Sequence, residues 1–264
     1  MTDAAESLPL RWQRLQQRVG DACRAAGRDP AEVTVLPVSK TFGPDVIRAA
    51  VGLGLHRFGE NKAQEIRDKA EPLSDCGIDW VMIGHLQTNK VGIVARLASE
   101  VQSLDRPKLA AALDRRLHAE NRVIDVLVQV KTSVEPSKYG LPPDQLLPFL
   151  DRLRDYPTMR VRGLMTLAIQ ADPAEDPDAV RGCFRRLREL RDEAARHGHE
   201  LPRLSMGMSG DFPLAIAEGA TEVRIGTALF GRRPYPDSYY WPEPAGPEPA
   251  APKPATPAPQ PDGG

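Results

Sequence analysis

Apolar positions in residues 8–26 recur at helical spacing. Leu8, Trp12, Leu15, Val19, Ala22 and Cys23 fall on one face, and Gly27 and Pro30 end the run. Beyond it, short β-branched or aliphatic runs alternate with longer amphipathic stretches. The short runs, at 33–38, 56–58, 80–83, 101–104, 123–130, 161–167, 203–206 and 222–225, predict eight strands. The stretches at 45–53, 61–72, 88–98, 107–119, 143–155, 174–197 and 211–218 predict helices. This alternation predicts the α/β class and a single (β/α)8 TIM barrel with an extra N-terminal helix. A doubly wound open sheet shares the alternation, but its Gly-x-Gly-x-x-Gly signature does not follow the first strand here. The segment 233–264, with Pro242-Glu-Pro-Ala-Gly-Pro-Glu-Pro249 near its start, cannot bury a core and predicts a disordered Pro/Ala-rich tail. The expected organisation is a barrel over 1–232 and a tail over 233–264.

In such a barrel, functional groups gather where the strands end, at the C-terminal rim. The first run, Val33-Thr-Val-Leu-Pro-Val-Ser-Lys40, ends in a lysine. Lysines are almost never fully buried unpaired. Desolvation lowers a lysine's pKa and yields the neutral amine that attacks carbonyls. Taken alone, Lys40 reads more plainly as a lysine that surfaces where its strand exits. The loops after the seventh and eighth strands change that reading. Ser209-Gly210 precedes a helix opening at Asp211, and Gly226-Thr227 opens the last helical turn. Backbone N–H groups at helix starts, with glycine allowing close approach, make an anion site, and barrels often bind phosphate at this position. Ordinary helix caps also use serine and threonine. Two such loops opposite a strand-end lysine point instead to a phosphate-bearing aldehyde as ligand.

Composition narrows the partners. The net charge of −1 and the absence of a long basic block argue against nucleic acid. Cys23, Cys76 and Cys183 are odd in number and scattered, which predicts reduced thiols in a cytoplasmic protein. No apolar stretch approaches membrane-spanning length, and the acidic start of the chain reads as lacking a signal peptide. The chain is expected to be a monomer with no membrane partner.

Eight ordered motifs add a resemblance: Val38-Ser-Lys40; Phe58-Gly-Glu-Asn61 with Gln64-Glu65; Ile83-Gly-His-Leu-Gln-Thr-Asn-Lys90; Ser103-Leu-Asp105; Glu135-Pro-Ser-Lys-Tyr-Gly140; Gly163-Leu-Met165; Ser205-Met-Gly-Met-Ser-x-Asp211; and Arg224-Ile-Gly-Thr-x-Leu-Phe-Gly231. Over roughly residues 8–232 the chain resembles the pyridoxal phosphate homeostasis protein family. The resemblance implies a barrel similar to the N-terminal domain of alanine racemase, holding pyridoxal 5′-phosphate (PLP). It implies Lys40 as the internal aldimine lysine and Ser209, Gly226 and Thr227 as the phosphate grip. Arg224 would face the pyridine nitrogen, and Asn61, Met165 and Met206 would line the ring and phosphate region. The family varies at the position of His85, so no role is implied there, and Lys138 is read as a loop lysine in preference to a second PLP contact.

The resemblance implies a PLP carrier with no dedicated catalytic residue, able to release PLP or pass it to PLP-dependent apo-enzymes. An acidic partner at the pyridine nitrogen makes PLP a strong electron sink, whereas a cationic Arg224 would disfavour that protonation. A two-base racemase also needs a second acid/base, which alanine racemase-like enzymes take from a separate β-domain. Tyr235, Tyr239 and Tyr240 could supply one only if the tail folds back. A PLP-dependent racemase or lyase is the competing class, and a cofactor-independent Schiff-base aldolase is the weaker third.

Overall fold

The computed structural model describes residues 6–133, 139–169 and 173–231. The chain divides into two units, Met1–Arg232 and Arg233–Gly264. The second unit lies outside the described residues, as do Lys138 and the three tail tyrosines.

Helix α1 (Leu8–Ala25) precedes eight strand–helix units. These are β1 (Thr34–Pro37) and α2 (Pro44–Val51), β2 (Arg57–Glu60) and α3 (Ala63–Ala70), β3 (Asp79–Met82) and α4 (Val91–Leu97), and β4 (Ala98–Leu104) and α5 (Pro107–Ala119). Then come β5 (Ile124–Gln129) and α6 (Leu146–Leu153), β6 (Met159–Met165) and α7 (Pro177–Arg196), β7 (Arg203–Ser205) and α8 (Phe212–Ala217), and β8 (Glu222–Ile225) and α9 (Thr227–Phe230). Proline at the first position of α2, α5 and α7 sets the helical φ where no N–H partner is needed. Asp176 caps α7 by accepting from the Ala179 N–H at 3.0 Å.

All strand pairs are parallel, in the order β1-β8-β7-β6-β5-β4-β3-β2. A single bridge, Val38 opposite Gly59, joins the ends β1 and β2 into a nearly closed TIM barrel, as the alternation predicts. The seam is thin for a reason visible in the sequence. The Ser39 N–H donates to Gly59 O at 3.1 Å, so along β1 alternate nitrogens face β2. Pro37 falls on that side and has no N–H to donate. Helix α1 lies over the last two units, where Arg11 Nε donates to Leu229 O at 2.7 Å and Arg28 Nη1 donates to Ile216 O and Ala220 O at 2.9 and 2.7 Å.

The main apolar core lies between sheet and helices, where Val126, Val128, Leu164, Val223 and Ile225 meet Leu109, Leu113, Phe184 and Leu187. Inside the barrel, Leu36, Val81, Leu127 and Met165 are fully buried. A polar network shares the interior. Glu100 accepts from Arg57 Nη2 at 2.7 Å and from Arg203 Nη1 and Nη2 at 2.9 and 3.0 Å. Glu222 accepts from Arg57 Nη1 at 2.5 Å and Arg203 Nη2 at 2.9 Å. Polar side chains within strands explain two boundary differences. Strand β4 begins at Ala98, because Glu100 and Gln102 interrupt the apolar pattern without leaving the strand. Strand β6 begins at Met159, two residues before the expected start, since Arg160 and Arg162 reach outward to Asp125 at 2.6 and 3.6 Å.

Candidate functional site

The strand order brings the candidate residues to one arc of the rim. Lys40 follows β1, Gly226 and Thr227 follow β8, Ser209 follows β7, and Met165 ends β6, so four adjacent strands supply them. Asn61 follows β2, across the thin seam. Lys40 is half-buried, in the turn directly after β1.

The two glycine-containing loops touch. Ser209 Oγ accepts from the Ala228 N–H at 3.3 Å, tying the loop after β7 to the start of α9. Val38 N–H donates to Ile225 O at 2.8 Å, which places the end of β8 beside the strand that carries Lys40. Among the described residues, the backbone N–H groups of Ser209, Gly210, Gly226 and Thr227 have no protein acceptor. Unspent N–H groups at partly open loops are what an anion needs.

Arg224 is buried at the top of β8 and held from below. Its Nη1 donates to Ser205 Oγ at 2.8 Å and its Nη2 to Thr166 O at 2.7 Å. Ser205 in turn donates to Gln102 Oε1 at 2.7 Å, and Gln102 Nε2 donates to Glu100 and Glu222 at 2.7 and 2.5 Å. A continuous hydrogen-bonded column therefore runs from the N-terminal end of the barrel to the rim. Burial pulls the Arg224 pKa down to about 10, with Glu222 and Asp211 opposing. At neutral pH it is a fixed cation with Nε left to donate.

One residue is placed differently from what the motif reading implies. The side chain of Met206 joins the apolar layer with Phe212 and Ala215 outside the barrel. Ser205 points inward, so period-two alternation turns Met206 away from Arg224. His85 stands beyond the seam side of the arc, after β3. It stacks on Tyr139 with ring centroids 3.9 Å apart, and its Nδ1 is 3.7 Å from Asp105 Oδ2. Burial lowers the His85 pKa, aided by Arg106 and opposed by Asp105.

The sequence reading missed a group beneath Lys40. Glu60, the last residue of β2, is fully buried and accepts from Ser39 Oγ at 2.6 Å and Lys69 Nζ at 2.7 Å. Lys69 also donates to Ser39 O at 3.0 Å and Glu65 Oε2 at 2.9 Å. Glu65 accepts from the Thr41 N–H at 2.7 Å. Burial pushes the Glu60 pKa up to about 7, against the pull of Lys69. The loop after β3 packs on this corner. A Cβ on Gly84 would stand 2.2 Å from Asn61 O, so only glycine lets the loops after β2 and β3 meet. Clefts of about 340 and 320 Å³ lie elsewhere, beside α6, and include none of these residues.

Comparison with known proteins decides the family. The profile of the alanine racemase N-terminal domain matches residues 11–234. The pyridoxal phosphate homeostasis protein of Aquifex aeolicus is 44% identical over 226 residues, covering 85% of this chain and 98% of that protein. The chain belongs to the pyridoxal phosphate homeostasis protein family. The family member from Pseudomonas aeruginosa is 41% identical over 222 residues, covering 84% of this chain and 94% of its own. Among solved structures, PipY of Synechococcus elongatus with PLP bound superposes with a TM-score of 0.69 at 34% identity, covering 81% of this chain and all of that one (100%). No helix among the described residues is long and apolar enough to cross a membrane, and none of their His, Cys, Asp and Glu groups could hold a metal ion.

Proposed function

We propose that this chain binds pyridoxal 5′-phosphate at the C-terminal rim and serves intracellular PLP homeostasis by holding the cofactor. The observation that carries this is the juxtaposition of Lys40, after β1, with the unspent N–H groups of the loops after β7 and β8. The residues fit the group. A phosphate monoester matches Ser209 Oγ and the N–H groups of Ser209, Gly210, Gly226 and Thr227. PLP supplies an aldehyde that a lysine amine can capture and a pyridine ring that can draw electrons. Lys40 is the covalent anchor, Asn61 and Met165 border the ring, and Met206 contributes through its backbone.

Arg224 is assigned to the pyridine nitrogen. Ser205 Oγ and Thr166 O hold its two terminal nitrogens. A guanidinium so fixed has no proton to give at neutral pH and keeps the ring nitrogen unprotonated, which weakens its electron demand. This favours a holding role over a racemase or lyase. The barrel over 1–232 is assigned the binding role, and 233–264 is an appended segment. The protein is assigned to the cytoplasm as a monomer whose recipients are PLP-dependent apo-enzymes.

The test is the visible spectrum of the purified protein loaded with PLP. We expect a yellow band that borohydride removes and that Lys40→Ala lacks, and no racemisation of common L-amino acids above free PLP. A protein that cannot be loaded would defeat the binding assignment. Robust turnover lost in Lys40→Ala would replace the carrier with an enzyme.

A further inference from the structure

The residues on either side of Lys40 are held by one buried ionic group. Before it, Ser39 is tied four ways: N–H to Gly59 O at 3.1 Å, Oγ to Glu60 Oε1 at 2.6 Å, and carbonyl to both Lys69 Nζ at 3.0 Å and the Phe42 N–H at 3.1 Å. After it, Thr41 has φ +76°, a left-handed conformation that a β-branched residue adopts only when its surroundings impose it. Two contacts hold it: the Phe42 N–H closes a turn onto Ser39 O at 3.1 Å, and the Thr41 N–H donates to Glu65 Oε2 at 2.7 Å. Glu65 is itself fixed by Lys69 one helical turn on, at 2.9 Å, and Lys69 is fixed by Glu60 at 2.7 Å. Lys69 spends its three N–H donors on Ser39 O, Glu60 and Glu65. Removing a charged partner from water is expensive, and a buried triad contributes little net stability for that cost. Its retention beneath the proposed anchor asks for another role.

We propose that the Glu60–Lys69–Glu65 triad is a positioning device for Lys40, clamping both neighbouring residues so that the strained turn presents the lysine at the rim. The inference rests on Lys40 being the PLP anchor. Glu65 is the clamp, since it alone reaches the residue with positive φ. Lys69 sets Glu65, and Glu60 sets Lys69 and Ser39. None of the three needs to touch the cofactor. The fully buried Glu60 Oε2 has no hydrogen-bond partner among the described residues.

The clamp predicts a separation that general damage does not produce. Pyridoxamine phosphate fills the same ring and phosphate positions but has no aldehyde, so its affinity reads the pocket alone. The rate of the yellow band with PLP reads capture, in which the Lys40 nitrogen bonds to the aldehyde carbon and one water leaves. Glu65→Leu should slow capture at least tenfold while pyridoxamine phosphate affinity stays within twofold. Adding Thr41→Gly, which adopts positive φ without strain, should restore capture to within threefold of wild type. Glu65→Gln keeps an acceptor for the Thr41 N–H and should stay within threefold, which keeps the test decisive should Glu65→Leu not fold. Capture unchanged in Glu65→Leu, loss of both readouts together, failure of Thr41→Gly to rescue, or a tenfold loss in Glu65→Gln would each overturn the clamp. Lys40→Ala is run alongside. A yellow band surviving there would overturn the anchor assignment instead.

Discussion

Glu222→Gln tests the polar network of the barrel interior. Glu222 is fully buried and faces Arg57, Arg203 and Gln102. Two carboxylates and two guanidiniums balance there, and burial alone would raise the Glu222 pKa, but Arg57 and Arg203 outweigh it and hold it low. Neutralising Glu222 leaves two arginines against Glu100. Breaking a buried pair costs about 3–5 kcal/mol. The side chains of Arg57 and Arg203 keep 31% and 25% of their exposure, so solvent places the cost at the lower end, about 3 kcal/mol. For a domain this size each kcal/mol moves Tm by about 2–4 °C, so a fall of about 6–12 °C is expected. Urea denaturation of the PLP-free protein measures it. The sign with pH follows from the lowered pKa: the carboxylate's contribution is present above the unfolded value and lost as pH falls through the folded one. The gap between wild type and variant should therefore close in acid. Arg203→Met should also be costly alone, yet the double variant restores one Arg57–Glu100 pair and should cost at least about 2 kcal/mol less than the sum. A loss under about 1 kcal/mol, or simple additivity, would refute the account.

Two further outcomes follow from the rim. Ser209→Ala with Thr227→Val should weaken PLP retention roughly tenfold or more, measured by dialysis and absorbance, with the melting curve of the PLP-free protein unchanged. Equal retention would show the phosphate lies elsewhere. Glu60 has a folded pKa raised to about 7, so the folded state holds a proton the unfolded chain has lost. Relative to Glu60→Gln, wild type should lose stability as pH rises from about 5 to about 7, and a flat difference across pH 5–8 would mean Glu60 stays ionised.

The barrel was legible because its outer face obeys a simple pattern. Residues such as Val126, Val128, Val223 and Ile225 must be apolar to meet the helices, and the 107–119 helix is found as Pro107–Ala119. The rim positions of Lys40, Ser209, Gly226 and Thr227 were legible because strand ends and glycine loops are marked locally. The inner column was not. Arg57, Glu100, Gln102, Arg203 and Glu222 each look like an ordinary surface residue until the barrel closes around them. Their one local sign is period two: Glu100 with Gln102, Arg203 with Ser205, and Glu222 with Arg224. The same period corrects Met206, whose neighbour Ser205 already occupies the inner face. Glu60 and Lys69 were hidden for another reason. They are nine residues apart, and only the turn from β2 into α3 brings them together.

The thin seam and the triad explain each other. Most neighbouring strands pair over several residues, as β1 does with β8 over Thr34 to Pro37, while β7 and β8 share only the Ser205–Glu222 pair. Between β1 and β2 there is one bridge, because Pro37 presents no donor to β2. Left there, the end of β1 would be weakly held on its β2 side. Instead, side chains replace the missing ladder. Glu60 from β2, with Glu65 and Lys69 from α3, binds Ser39 and Thr41. Backbone pairing would have fixed an extended strand end; side-chain acceptors can fix a left-handed residue just as firmly. The proline thus frees the chain to turn after Lys40, and the buried ions decide which way it turns.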